Sequence, residues 1–221
     1  TPFQARTVHE TTDVTALLTQ GANAIALRIA GAWATERFGF RENAAPIYAD
    51  QPRVAAQLVI EYADGRTAVV VTDAEWASAP GPITASGLYA GEHHDARRAL
   101  RDGEGRTPAD PGFDAVGWAA VAVVDDVPVP GARVSPFVRR TEELAVTEVI
   151  TTPSGRTVVD FGQNLVGRLR IRVGGPAGAV VTLRHAEVLE HGELGTRPLR
   201  AAAATDSYTL AGTGVEVWEP E

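Results

Sequence analysis

Apolar positions recur with the two-residue period of strands along most of the chain. Residues 54–62 (VAAQLVIEY) and 66–72 (RTAVVVT) form two mostly apolar runs on either side of Ala63-Asp64-Gly65. An Asp-Gly between such runs predicts a hairpin, because Gly accepts the positive φ that a tight turn demands. The same order returns at residues 146–152 (VTEVITT) and 156–161 (RTVVDF), joined through Pro153-Ser154-Gly155. Residues 167–173 (GRLRIRV) alternate strictly, which puts Leu169, Ile171 and Val173 on one face and Arg168, Arg170 and Arg172 on the other. That pattern describes a sheet with one wet side. Gly174-Gly175-Pro176-Ala177-Gly178 then turns the chain into residues 179–188, a further strand with alternating Val181, Leu183 and His185.

Helical signals are few. Asp13 can cap a single turn at residues 14–18, with Gly21 ending it before a strand at residues 24–30. Elsewhere 22 Gly and 14 Pro in 221 residues punctuate the chain too often for long helices. The expected fold is therefore all-β: two antiparallel, jelly-roll-like β-sandwiches, whose boundary falls where Pro and Gly gather in residues 108–140. The expected division is a first sandwich over 1–110, a linker over 111–140 and a second sandwich over 141–221. The first would hold at most about five strands against the ~7 of a typical sandwich, and the second ends soon after a strand begins. Both are expected to be truncated, the first lacking N-terminal strands and the second C-terminal ones.

Composition narrows the chemistry. The 44% hydrophobic content suffices for a core, and the length suits one or two domains of about 100 to 200 residues each. The sequence contains no Cys, so disulfides, thiol nucleophiles and thiolate zinc sites are excluded. All 20 basic residues are Arg, which excludes Schiff-base and phosphate-loop lysines. There is no Met either, so Thr1 is expected to be a processed or excised end. A net charge of −8 argues against nucleic acid and anionic membranes as partners. No run approaches the ~18 apolar residues of a transmembrane helix. No secretion signal precedes Thr1, which leaves the compartment open.

Candidate chemistry is sparse. Glycoside hydrolysis needs two carboxylates about 5 to 10 Å apart, and with 28 acidic residues sequence alone selects no pair. The densest polar cluster is Glu92-His93-His94-Asp95, followed by Arg97-Arg98. As a metal or sugar site it meets an objection, since adjacent strand residues point to opposite faces and His93 and His94 would not share an ion. Asp95 paired with Arg97, or capping its own turn, is the competing reading. His9, His185 and His191 stand isolated, and neither a Gly-x-Ser-x-Gly elbow nor an H-E-x-x-H motif occurs. Gly162-Gln163-Asn164 reads as a ligand-facing turn or as a plain β-turn with Asn164 at positive φ. Of Trp33, Trp76, Trp118 and Trp218, at most one is expected to meet a ligand. Trp33 is the best placed, with Gly31, Arg37 and Gly39-Phe40 around it in a long loop.

Several phrases together resemble one family. Asp13-Val14-Thr15-Ala16-Leu17-Leu18 with Gly21-Ala22-Asn23 resembles the opening of galactose-binding-like sandwiches attached to glycoside hydrolases. More specific are Gly81-Pro82-Ile83, Tyr89-Ala90-Gly91-Glu92-His93-His94-Asp95-Ala96-Arg97, and Pro111-Gly112-Phe113-Asp114 with Trp118. Val138-Arg139-Arg140 with Glu143-Leu144 follows, then Asp160-Phe161-Gly162-Gln163-Asn164 with Gly167. Arg184-His185-Ala186-Glu187-Val188-Leu189 and Asp206-Ser207-Tyr208-Thr209-Leu210 complete the series. In this order they resemble the N-terminal region of bacterial α-L-rhamnosidases, glycoside hydrolase family 78. The resemblance implies a galactose-binding-like first sandwich and a parent enzyme that is inverting, with its carboxylates on an (α/α)6 barrel outside this chain. It implies a rhamnosylated glycoside and the downstream catalytic domain as partners, and an inactive isolated chain. Some relatives bind rhamnose with calcium through the first sandwich. The matching positions here lie near Tyr48-Ala49-Asp50-Gln51 and the turn from Asp95 to Arg97, where Asp50 is the one anionic ligand on offer and a hard cation wants several oxygens. Trp33, Asp50, Glu92 and Asp95 are thus the candidate carbohydrate-binding residues. No catalytic residue is assigned, and no cofactor is expected, calcium at Asp50 being the alternative.

Overall fold

The structure, a computed structural model, describes residues 5–39, 41–125 and 128–221. It is all-β, with regular helix confined to short 3-10 turns. Both expected hairpins form. Gln57–Glu61 pairs antiparallel with Thr67–Val71, and Glu148–Thr151 with Thr157–Asp160. Gly65 takes φ +85° in the first turn, as its Asp-Gly signal requires. Ile171–Gly174 pairs antiparallel with Val215–Trp218, and Leu169, Ile171 and Val173 are the less exposed members of the alternating run.

The largest sheet has four strands in the order Val180–Arg184, Thr205–Thr209, Gly91–Asp95, Ile83–Gly87. Its outer pairings are antiparallel, but its central one is parallel: Ser207, Tyr208 and Thr209 lie beside His93, His94 and Asp95. Strands from both expected sandwiches therefore share one sheet. Gly91 permits this close approach. It holds φ +102°, and a Cβ there would collide with the carbonyl of Thr205. A second parallel bridge joins Val8–His9 to Gly131–Ala132, and Ala119–Ala120 pairs with Ala77–Ser78. The stretch expected as a linker is thus bonded back to the first half at two places. Two-residue bridges of Ala and Gly carry no periodicity by which sequence could announce them.

Three expectations change. Residues 24–30 join no ladder, although they alternate Ile25, Leu27 and Ile29, all substantially exposed. The chain just beyond runs beside the outer strand Ile83–Gly87, where the Ser86 hydroxyl donates to the Gly31 carbonyl at 2.5 Å. The helical turn near Asp13 is a 3-10 turn, Thr15–Leu17, and the Asp13 carboxylate accepts the Thr15 N–H at 2.9 Å. It has company at Trp33–Thr35, Arg41–Asn43, Ala96–Arg98 and Arg197–Leu199. At residues 162–164 the positive φ belongs to Gly162, whose N–H donates to Asp160, and not to Asn164.

The core gathers where the sheets meet. Tyr208, Leu210 and Trp218 are buried, with Ile171, Val173, Val181 and Leu183 packed against them. Tyr208 and Trp218 stack at 5.0 Å between ring centroids. The Tyr208 hydroxyl donates to Glu216 Oε2 at 2.8 Å, and the same carboxylate accepts N–H groups from Ala211, Gly212 and Thr213. One side chain thereby closes the turn that leads into Val215–Trp218. Leu210 is 2% exposed, so Leu210→Ala is expected to cost about 2–5 kcal/mol in urea unfolding. Val129→Ala, at a position 94% exposed, should stay within about 0.5 kcal/mol of the parent chain.

Candidate functional site

Two places gather the residues that sequence singled out. The first is an open hollow of about 300 Å³ lined by Pro46, Ile47, Tyr48, Ala49, Asp50 and Arg53. Trp33 begins the 3-10 turn Trp33–Thr35 and remains 43% exposed. It meets Phe38 edge-on at 5.5 Å, and Phe38 meets Tyr48 edge-on at 5.7 Å. The Ala49 N–H donates to the Ala34 carbonyl at 3.0 Å, which ties the hollow's rim to that turn. A row of aromatic rings therefore runs from Trp33 to a hollow that offers a carboxylate acceptor at Asp50 and a guanidinium donor at Arg53. Such a set suits a neutral, hydroxyl-bearing ligand with one apolar face. The other tryptophans serve packing: Trp218 is buried, Trp76 Nε1 donates to the Val71 carbonyl, and Trp118 packs edge-on against Phe113.

For a divalent cation the hollow offers few oxygen ligands. It brings one carboxylate and a guanidinium, and among the described residues no group of three or more His, Asp or Glu side chains is arranged to hold a metal ion. Asp95 is engaged elsewhere. Its two oxygens accept from Nε and Nη2 of Arg97 at 2.9 and 2.8 Å, and Oδ1 also accepts the Arg97 N–H, capping the turn Ala96–Arg98. The Arg97 bonds hold the Asp95 carboxyl below the usual carboxylate range.

The second place is the parallel joint. Strand alternation sends Glu92 and His94 to one face of Gly91–Asp95 and His93 to the other, so the two histidines do part company. Glu92 is 6% exposed, and its Oε1 lies 3.4 Å from His94 Nδ1 without the alignment of a hydrogen bond. Glu92 Oε2 accepts the Glu221 N–H at 2.9 Å. Burial pushes the Glu92 carboxyl up and the His94 imidazole down. Asp206 Oδ1 accepts the Glu92 N–H at 2.7 Å, and Asp206 Oδ2 lies 2.8 Å from His185 Nε2. His185, isolated in sequence, is thus partnered. Its pairing depends on the register of Val180–Arg184 against Thr205–Thr209, which no local pattern encodes. Trp33 and Asp50 therefore share one neighbourhood, whereas Glu92 and Asp95 belong to the sheet and point to different faces.

The fold and these two places define a class first: an all-β region with no opposed carboxylate pair among its candidate residues. Residues 1–142 match the family model for the alpha-L-rhamnosidase N-terminal domain, and residues 150–221 match that for the bacterial alpha-L-rhamnosidase concanavalin-like domain. The chain belongs to the alpha-L-rhamnosidase N-terminal domain family. An alpha-L-rhamnosidase of Streptomyces avermitilis is 42% identical over 100% of this chain and 21% of its own length, and one of an Alteromonas species is 32% identical over 100% and 24%. Among solved structures, the native alpha-L-rhamnosidase of Aspergillus terreus superposes with a TM-score of 0.82 at 37% identity, covering 99% of this chain and 25% of that one. The Streptomyces avermitilis enzyme complexed with L-rhamnose gives 0.68 at 44% identity, covering 75% of this chain and 16% of that one. The chain spans about a fifth to a quarter of the length of these curated relatives. Among the described residues no helix is long and apolar enough to cross a membrane.

The buried phenol gives a direct check on the joint's packing. Burial, helped by the bond to Glu216, pushes Tyr208 up to about 12 from 10.0. In an ultraviolet tyrosinate titration, a step near pH 12 is expected, and Tyr208→Phe should remove it.

Proposed function

We propose that this chain is the non-catalytic β-sandwich region of an α-L-rhamnosidase, an enzyme releasing terminal α-L-rhamnose from glycosides. The observation that carries the reading is the pattern of coverage: relatives of that name align over the whole chain, yet the chain accounts for only 21–24% of their length. The inverting chemistry expected of the parent needs one carboxylic acid to protonate the leaving oxygen and a second carboxylate to activate water on the opposite face of the sugar. The candidate acids of this chain are unsuited to it. Glu92 is buried behind the Glu221 N–H and His94, Asp95 is held by Arg97, and the strand sends their side chains to opposite faces. Both steps therefore fall to a catalytic domain beyond these residues, and this region supports that domain.

Calcium-independent contact with the rhamnosyl substrate is a second reading, favoured by the exposed Trp33 ring and its row of aromatics leading to the Asp50 hollow. The ring would stack on the apolar face of the sugar, while Asp50 and Arg53 would accept from and donate to its hydroxyls.

Two measurements separate these roles. The isolated chain should not turn over an aryl α-L-rhamnoside, and turnover abolished by Glu92→Gln would overturn the non-catalytic reading. Calorimetry with L-rhamnose, with and without calcium, tests binding. Heat that saturates equally in both conditions, and falls about tenfold in affinity for Trp33→Ala, supports direct sugar contact, and no heat in either leaves a purely supporting region.

A further inference from the structure

The segments that match two different family models meet, among the described strands, at one ladder: Gly91–Asp95 beside Thr205–Thr209. The face of that ladder turned inward is polar and titratable where an apolar contact would be the simpler way to join two pieces. Glu92 Oε1, His94 Nδ1 and Trp218 Nε1 are buried without a hydrogen-bond partner, and the first two face each other at 3.4 Å. Asp206 braces the pair from the neighbouring strand through the Glu92 N–H, and is itself held by His185. Arg168, which donates to the Pro220 carbonyl, adds a positive charge on the Glu92 side. Arg28, which pairs with Glu221, and Asp95 act on His94. The rings of Tyr208 and Trp218 close over His94 at 5.5 and 5.9 Å.

We propose that this joint is a proton-operated latch: one proton held between Glu92 and His94 ties residues 1–142 to residues 150–221, and its loss as the pH rises loosens them. With Glu92 ionised and the imidazole proton on Nε2, Oε1 and Nδ1 face each other as two unsatisfied acceptors beside a buried charge; one proton added to the carboxylate removes that charge, leaves the pair net neutral and gives Nδ1 a donor to accept from. Burial drives the two groups in the directions that favour this state. Glu92 lies above its ordinary value of 4.5, so the stability that its protonation brings is complete below 4.5 and is lost as the pH rises through the raised value. His94 lies below its ordinary value of 6.5, so the stability of its neutral form is complete above 6.5 and is lost as the pH falls through the lowered value. The pair titrates as a unit, and the latch is tightest in mild acid, where it holds one proton.

The test is amide hydrogen exchange by NMR on the whole 221-residue chain across about pH 5 to 8, corrected for the intrinsic pH dependence of exchange. Protection at residues 92–95 and 207–209 is expected to fall about tenfold or more as the pH rises, while the hairpin Glu148–Thr151 with Thr157–Asp160 keeps its protection. Glu92→Gln should make the joint's protection independent of pH. An unchanged pH slope in Glu92→Gln, or equal behaviour of joint and hairpin in the unmutated chain, would overturn the latch. If the variant fails to fold, the ring-nitrogen shifts of His94 in the unmutated chain decide. Shifts that follow the joint's loosening support the latch, and an imidazole that titrates independently of it refutes it.

Discussion

The parallel pairing of Gly91–Asp95 with Thr205–Thr209 is the constraint on which the rest depends. It brings together residues more than a hundred positions apart, and so it must offset a large loop-closure entropy before any contact on it contributes. What offsets that cost is local. Tyr208 and Trp218 stack between two sheets, Leu210 joins them in the buried cluster, and Glu216 collects four donors at the turn between them. The pairing also needs a strand without a side chain at its first position, because the Thr205 carbonyl occupies the place of a Cβ at Gly91. Placed next to Glu92-His93-His94-Asp95, that glycine explains why the densest polar cluster of the sequence lies at a structural joint and not in an open cleft.

The same constraint divides the candidate residues. A strand committed to pairing on both edges presents alternate side chains to two faces and leaves no latitude to bring neighbours together. Glu92 and Asp95 are separated for that reason, and each is then engaged by its own partner, the Glu221 N–H in one case and Arg97 in the other. Trp33 and Asp50 sit outside the paired strands, in short turns where direction is set residue by residue. Side chains in such segments are not claimed by a ladder, so they can be arranged around a hollow.

Local structure was legible in the sequence, and long-range structure was not. The Asp64-Gly65 hairpin and the Arg/Leu alternation of residues 167–173 follow from period and turn chemistry, which are encoded within a few residues. The Asp95 to Arg97 capping contact is likewise a short-range effect, two residues apart. His185 with Asp206 and Glu92 with the Glu221 N–H are set by register between strands distant in sequence, and no local signal marks them. Residues 24–30 carry the alternation of a strand but not the neighbour that would make them one. Pattern reports a face, and a ladder requires an edge. The site was legible to the same extent: Trp33 and Asp50 stood out by residue type, and their connection through Phe38 and Tyr48 emerged only in three dimensions.

A buried carboxylate beside a histidine is a costly way to fasten two segments, since well-packed apolar residues of similar volume commonly do as well or better. Its advantage lies in discrimination. An apolar face at residues 92 and 94 would accept many partner strands and registers, while the Glu92 carboxylate needs an arrangement that brings a donor to it, here the Glu221 N–H. The short hairpins elsewhere leave Val59, Val69, Val149 and Val159 exposed, so mispaired strands have apolar surface to settle on. A polar joint whose buried carboxylate finds its donor in this register guards against that outcome. It fixes the place of Gly91–Asp95 in the sheet by the energy that every other arrangement would forfeit.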